Sequence, residues 1–113
     1  GIGGLAATLA LQRSGVPAVC LERAPELRQG GAAIGLWSNA FRALDALGVG
    51  DGLRAAHPAL RGVALCAARG PELQRFDWEQ CGQPQHEFRG VSRAALLGEL
   101  AGALEPGSLR FGA

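Results

Sequence analysis

The chain begins Gly1-Ile2-Gly3-Gly4 and runs directly into an apolar helical stretch, Leu5 to Ser14. A glycine cluster at the head of a helix restricts what can be built there. Glycine lets a backbone approach another backbone or a ligand closely. The helix N-terminus behind it offers unpaired N–H groups and partial positive charge to an anion. The dinucleotide fingerprint G-x-G-x-x-G sits between a β-strand and such a helix. Gly1 to Gly4 supply G-x-x-G, its last two glycines, and the first glycine falls two positions before Gly1. On this reading Gly1 lets the backbone approach a pyrophosphate, and Gly4 lets the helix pack closely on a strand. Taken alone, these four residues fit a glycine-rich terminus equally well.

Residues 5–23 decide between the two. Leu5, Leu9, Ala6 and Ala10 recur at helical spacing, but the segment is apolar almost all round. That predicts a helix packed on more than one side. Gly15 and Pro17 stop it in the expected order. "PAVCL" reads as a short buried strand closed by Glu22-Arg23. Glu22 lies about 20 residues beyond the glycine turn, where an acidic residue accepts hydrogen bonds from ribose hydroxyls. A surface Glu-Arg pair closing a strand is the alternative. The order turn, helix, strand, carboxylate favours the nucleotide site.

The later pattern continues to alternate. Residues 24–32 are a Pro- and Gly-rich loop, and "AAIGLW" is a further extended piece. A helix is predicted from Asn39 to Leu47, capped by Ser38 or Asn39, with Phe41, Leu44 and Leu47 on one face. Arg42 and Asp45 form an i,i+3 pair elsewhere on it. A short helix over Asp51–Ala56 is capped by Asp51. "LRGVALCAAR" and "ELQRFDW" read as two strands around Gly70-Pro71, with "HEFRGV" as a third. Ser92 caps a helix carrying Leu96, Leu97, Leu100 and Leu104, and "SLRF" begins one more strand. Strand–helix alternation points to an α/β fold.

Composition removes other classes of function. A net charge of +1 gives no electrostatic case for nucleic acid or an anionic membrane as partner. The longest apolar run is too short to span a bilayer, and no secretory signal is visible. Cys20, Cys66 and Cys81 are odd in number and far apart, which reads as reduced thiols of a cytoplasmic protein. His57 and His86 lack partners at metal-ligand spacing, so no metal site is expected. No nucleophile–His arrangement stands out, so no catalytic side chain is assigned. Trp37 and Trp78 are assigned to packing. The sequence holds no methionine, which points to a processed chain or a piece of a longer one.

Four blocks together resemble a known family. They are the glycine turn with its helix, the strand ending Glu22-Arg23, the loop Gly31-Ala32-Ala33-Ile34-Gly35-Leu36 followed by Ser38-Asn39-Ala40, and "GVSRAALL". In this order they look like the start of FAD-dependent monooxygenases of the aromatic-hydroxylase type. In that family the loop reads like "GAGIGL", the next helix begins Pro-Asn-Ala, and the last block opens His-Arg. Here Ala33 stands for a glycine, Ser38 for the proline and Ser92 for the histidine, while Arg93 matches the arginine. Gly50-Asp51 does not match the family's Gly-Asp-Ala motif, which is expected much later in a chain. A plain NAD dehydrogenase would leave Arg93 and the Gly31–Leu36 loop unexplained.

The resemblance implies a partial Rossmann-like FAD-binding fold lacking its first strand, with a β-rich insert belonging to the substrate domain. Residues 1–57 would form the dinucleotide-binding part, 58–91 the insert and 92–113 the return to the FAD-binding domain. It implies FAD as cofactor, with Gly1 and Gly4 at the pyrophosphate, Glu22 on the adenosine ribose and Arg23 beside the adenine. Gly35 would pass near the flavin, and Arg93 near the pyrophosphate or ribityl chain. It also implies NAD(P)H as co-substrate, and O2 as the oxidant that hydroxylates or epoxidises a small organic substrate, aromatic in type. A related FAD-dependent reductase or halogenase, or a non-catalytic truncated remnant, are the alternatives. The 113 residues alone are expected to be inactive and poorly folded.

Overall fold

Leu5 and Leu9 of the first helix meet Leu96, Leu97 and Leu100 of the last, and this contact organises the core. The computed structural model describes residues 1–27, 30–82 and 86–113. In chain order the elements are α1 (Ile2–Arg13), β1 (Cys20–Glu22), β2 (Ala33–Trp37), α2 (Ser38–Ala46), α3 (Gly50–Ala56), β3 (Gly62–Cys66), β4 (Glu72–Asp77), β5 (Phe88–Ser92), α4 (Arg93–Gly102) and β6 (Leu109–Phe111). The architecture is mixed α/β, as the alternation predicts.

Three two-stranded sheets organise these elements among the described residues. β1 and β6 pair in parallel, with Cys20 opposite Leu109 and Glu22 opposite Phe111. β3 and β4 form an antiparallel hairpin with a bulge at Leu65/Cys66. β5 does not join that hairpin. It pairs antiparallel with β2, Ala33 opposite Ser92 and Trp37 opposite Phe88. Parallel strands need a long crossover. Here it brings both ends of the chain together, so that β1 and β6 lie side by side beneath α1 and α4.

The helix stops follow local chemistry. Gly15 and Gly48 adopt left-handed φ values of 77° and 72°. The N–H groups of Val16 and Val49 then reach back to the Leu11 and Leu44 carbonyls, 2.9 and 3.0 Å away. That is the Schellman closure, which satisfies carbonyls a helix end leaves open. At the start of α4 the Ser92 hydroxyl accepts the Ala95 N–H at 3.0 Å, as predicted. Ser92→Ala should therefore cost about 1 kcal/mol, read as a lower denaturation midpoint in urea.

Other sequence expectations give way to tertiary partners. α2 has no side-chain cap. Ser38 turns away instead, and its hydroxyl accepts the Glu87 N–H at 2.8 Å. Asp51 does not cap α3 either; it lies in the first turn facing Arg54. Asp45 pairs with Arg54 of the next helix rather than with Arg42. α1 buries one side only, through Leu5, Thr8 and Leu9, while Ala7, Ala10 and Leu11 stay exposed. Leu21 of β1 and Phe111 of β6 are open as well, at 63% and 42%.

Candidate functional site

The C-terminal end of β1, the start of α1 and the start of α4 converge on one cavity of about 640 Å³. Gly1, Glu22, Arg23, Pro25, Arg93 and Leu97 are among its lining residues. Four of the six sequence-predicted site residues are therefore brought together, across more than 90 positions of chain.

Each contributes a different chemistry. α1 begins at Ile2 with Gly1 as its N-cap and no side chain bonded to its first N–H groups. The first N–H groups of a helix are suited to receive an anion. Glu22 is oriented from within its own turn, Oε1 accepting the Ala24 N–H at 3.1 Å. As a carboxylate it can accept hydrogen bonds from hydroxyls.

Arg93 occupies the first position of α4 and is half-buried. The ion pairs among the described residues use Gly1, Arg54, Arg61, Arg75 and Arg89, and none uses Arg93. Its guanidinium is a permanent charge with a planar fork of donors, suited to phosphate. Its main-chain N–H donates to the Ala32 carbonyl at 3.3 Å, which ties α4 to the loop before β2. Gly31 in that loop has φ 148°, and a Cβ there would lie 3.7 Å from the Arg93 Cβ. That distance is an ordinary contact, so it is the backbone conformation of Gly31 beside the arginine stem that favours glycine there.

Gly4 and Gly35 lie apart from the other four. A Cβ on Gly4 would sit 3.6 Å from the Cys20 Sγ, an ordinary contact, so α1 does approach β1 there but leaves room for alanine. Gly35 is in the middle of β2 opposite Gly90, not in a loop. A Cβ on Gly35 would come within 2.8 Å of the Phe88 ring, which stacks on Trp37 at 4.3 Å. Gly35→Ala should therefore destabilise by about 1–3 kcal/mol through overpacking, visible as a lower Tm. Trp37 also meets Trp78 edge-on at 5.4 Å, yet at 42% exposed it lies outside the core to which the sequence assigned it. Among the described residues no His/Cys/Asp/Glu group could hold a metal ion, and no helix is long and apolar enough to cross a membrane.

The start of α1, the Arg93 guanidinium and the Glu22 carboxyl group all border one cavity. Comparison with known proteins narrows the class. No family model matches the chain. It is 39% identical over 112 residues to Monooxygenase 1 of Arabidopsis thaliana, covering 99% of this chain and 27% of that protein. It is 39% identical over 120 residues to 3-hydroxybenzoate 6-hydroxylase of Polaromonas naphthalenivorans, covering 98% and 29%. Among solved structures, a Klebsiella pneumoniae HpxO variant complexed with FAD superposes with a TM-score of 0.78 at 32% identity, covering 99% of this chain and 29% of that one. The chain is a homologue of FAD-dependent monooxygenases of the aromatic-hydroxylase type. It spans a little over a quarter of the length of the curated relatives it matches.

Proposed function

We propose that this chain is the FAD-cradling segment of a flavin-dependent monooxygenase that uses NAD(P)H and O2 to hydroxylate or epoxidise a small aromatic substrate. The observation that carries it is the convergence of Gly1, Glu22 and Arg93 on one cavity, in a chain similar along its whole length to such enzymes. The residues present suit FAD: α1 starts with glycine and has no side-chain cap, Arg93 enters no ion pair among the described residues, and Glu22 is held by the Ala24 N–H.

On this reading the α1 N–H groups and the Arg93 guanidinium receive the pyrophosphate. Glu22 accepts from the adenosine ribose, with Arg23 at the adenine end. Gly4 keeps α1 close to β1, and β2 with Gly35 passes beside the flavin. The bound cofactor supplies the redox and oxygen chemistry; these residues bind and orient it. The parallel β1–β6 pair under α1 and α4 supports a Rossmann-like FAD-binding part made of residues 1–57 and 92–113. The β3–β4 hairpin within 58–91 is the piece assigned to the substrate side.

The test uses the full-length protein. It should retain a flavin absorption band through gel filtration, and an aromatic substrate should stimulate its NAD(P)H oxidation. Labelled O2 should then deliver one oxygen atom into the product. NAD(P)H oxidation with no label in any product would point to a reductase instead.

A further inference from the structure

His57 caps the C-terminal end of α3, and its ring is engaged at both nitrogens. Nδ1 lies 3.1 Å from the Leu53 carbonyl oxygen, one turn back on the same helix. Nε2 lies 3.4 Å from the Ser92 backbone nitrogen, which donates to it. A carbonyl only accepts and a backbone N–H only donates. The tautomer that satisfies both donates from Nδ1 and accepts at Nε2.

The Ser92 N–H has no other claimant in the local geometry. The ladder bond beside the Ala33–Ser92 pair runs from the Arg93 N–H to the Ala32 carbonyl, which turns the Ser92 N–H away from β2. In a capping box the residue three positions into the helix reaches back to that N–H. Here that residue is Ala95, which has no acceptor. His57 fills the gap from another helix. Its own backbone is tied to the same strand, since Arg89 donates to the His57 carbonyl and the Leu60 N–H reaches the Phe88 carbonyl at 2.7 Å.

We propose that His57 is a positioning residue for the cofactor cradle: its Nε2 accepts the Ser92 N–H, fixes Ser92 and so aims the adjacent Arg93 into the cavity shared with Gly1 and Glu22. This rests on the reading of Arg93 as a pyrophosphate ligand.

The experiment measures FAD dissociation constants of the full-length protein by flavin fluorescence. His57→Leu should bind FAD about 3- to 10-fold more weakly than wild type, the worth of one hydrogen bond. His57→Gln offers an acceptor oxygen at the Nε2 position and should restore wild-type affinity. Binding by His57→Gln as weak as that of His57→Leu would overturn the proposal, as would unchanged affinity in His57→Leu. Arg93→Ala run alongside separates the two readings. If it binds FAD as tightly as wild type, the cradle assignment itself fails, whereas a weakened Arg93→Ala beside an unaffected His57→Leu removes only the role of His57.

Discussion

Arg93→Ala is expected to weaken FAD binding by about 10- to 100-fold, because hydrogen bonds to charged groups are worth roughly 1.5–3 kcal/mol each. The guanidinium starts from the first turn of α4, a place where a positive charge opposes the helix dipole. It enters no ion pair among the described residues that would offset that local cost. A bound pyrophosphate would reverse the sign, since the anion sits against both the arginine and the N–H groups of the helix end. Arg93→Lys should fall between wild type and alanine, keeping the charge but losing the planar fork. Fluorescence titration with FAD over a salt series checks both, and the alanine variant should also show a shallower salt dependence. Equal affinity in Arg93→Ala and wild type would remove Arg93 from the site.

Much of the fold is legible in the sequence because it is written in local chemistry. Ser92 caps α4 as its hydroxyl and position predict, and Leu96, Leu97, Leu100 and Leu104 are all buried. Gly15 and Gly48 end α1 and α2 because each supplies a left-handed turn that other residues resist. Periodicity reports which face of an element is apolar, not what lies against it. β5 is a correct strand whose partner, β2, lies some fifty residues back, and nothing local chooses β2 over the nearer β4. Asp45 is likewise correctly placed on α2, yet its arginine comes from α3 rather than from the i−3 position.

The candidate site divides along the same line. Glu22 and Arg93 are found by motif order, and the fold brings them to one cavity. Gly35 is found by the same motif, but its lack of a side chain is already accounted for by the Phe88 ring above it. His57 carries no sequence signal toward the site. Its ring reaches Ser92 only because residues 57–60 run beside β5, a neighbourhood created by tertiary packing.

The largest stability effect is expected from Arg54→Ala, which should cost about 2–3 kcal/mol by removing one cation from two carboxylates at once. Arg54 holds Asp45 through both terminal nitrogens at 2.6 and 2.8 Å, and Glu87 through Nε at 2.8 Å and Nη2 at 3.1 Å. Its guanidinium also lies 4.8 Å above the fully buried Phe41 ring, so the group links α2, α3 and the approach to β5 over the core. At 27% exposed for Arg54 and 21% for Glu87, that pair is sheltered enough for its hydrogen bonds to matter, while Asp45 at 44% is more open and contributes less. Glu87 would keep Arg89, 2.7 Å away, which limits the loss. Both carboxyl groups are held below their ordinary range, chiefly by the hydrogen bonds from Arg54. A carboxyl group with a depressed folded-state pKa contributes stability above its unfolded value and loses it as the pH falls through the folded value. Wild type should therefore begin to lose this contribution only below about pH 4, the ordinary carboxylate range. Arg54→Ala lacks the contribution from the start. The gap between the two proteins should be widest near neutrality and close as the solution becomes acidic. Urea denaturation of the full-length protein across about pH 3 to 7 reads the gap directly. A gap that stays constant with pH would mean that Arg54 acts through packing on Phe41 rather than through its two carboxylates.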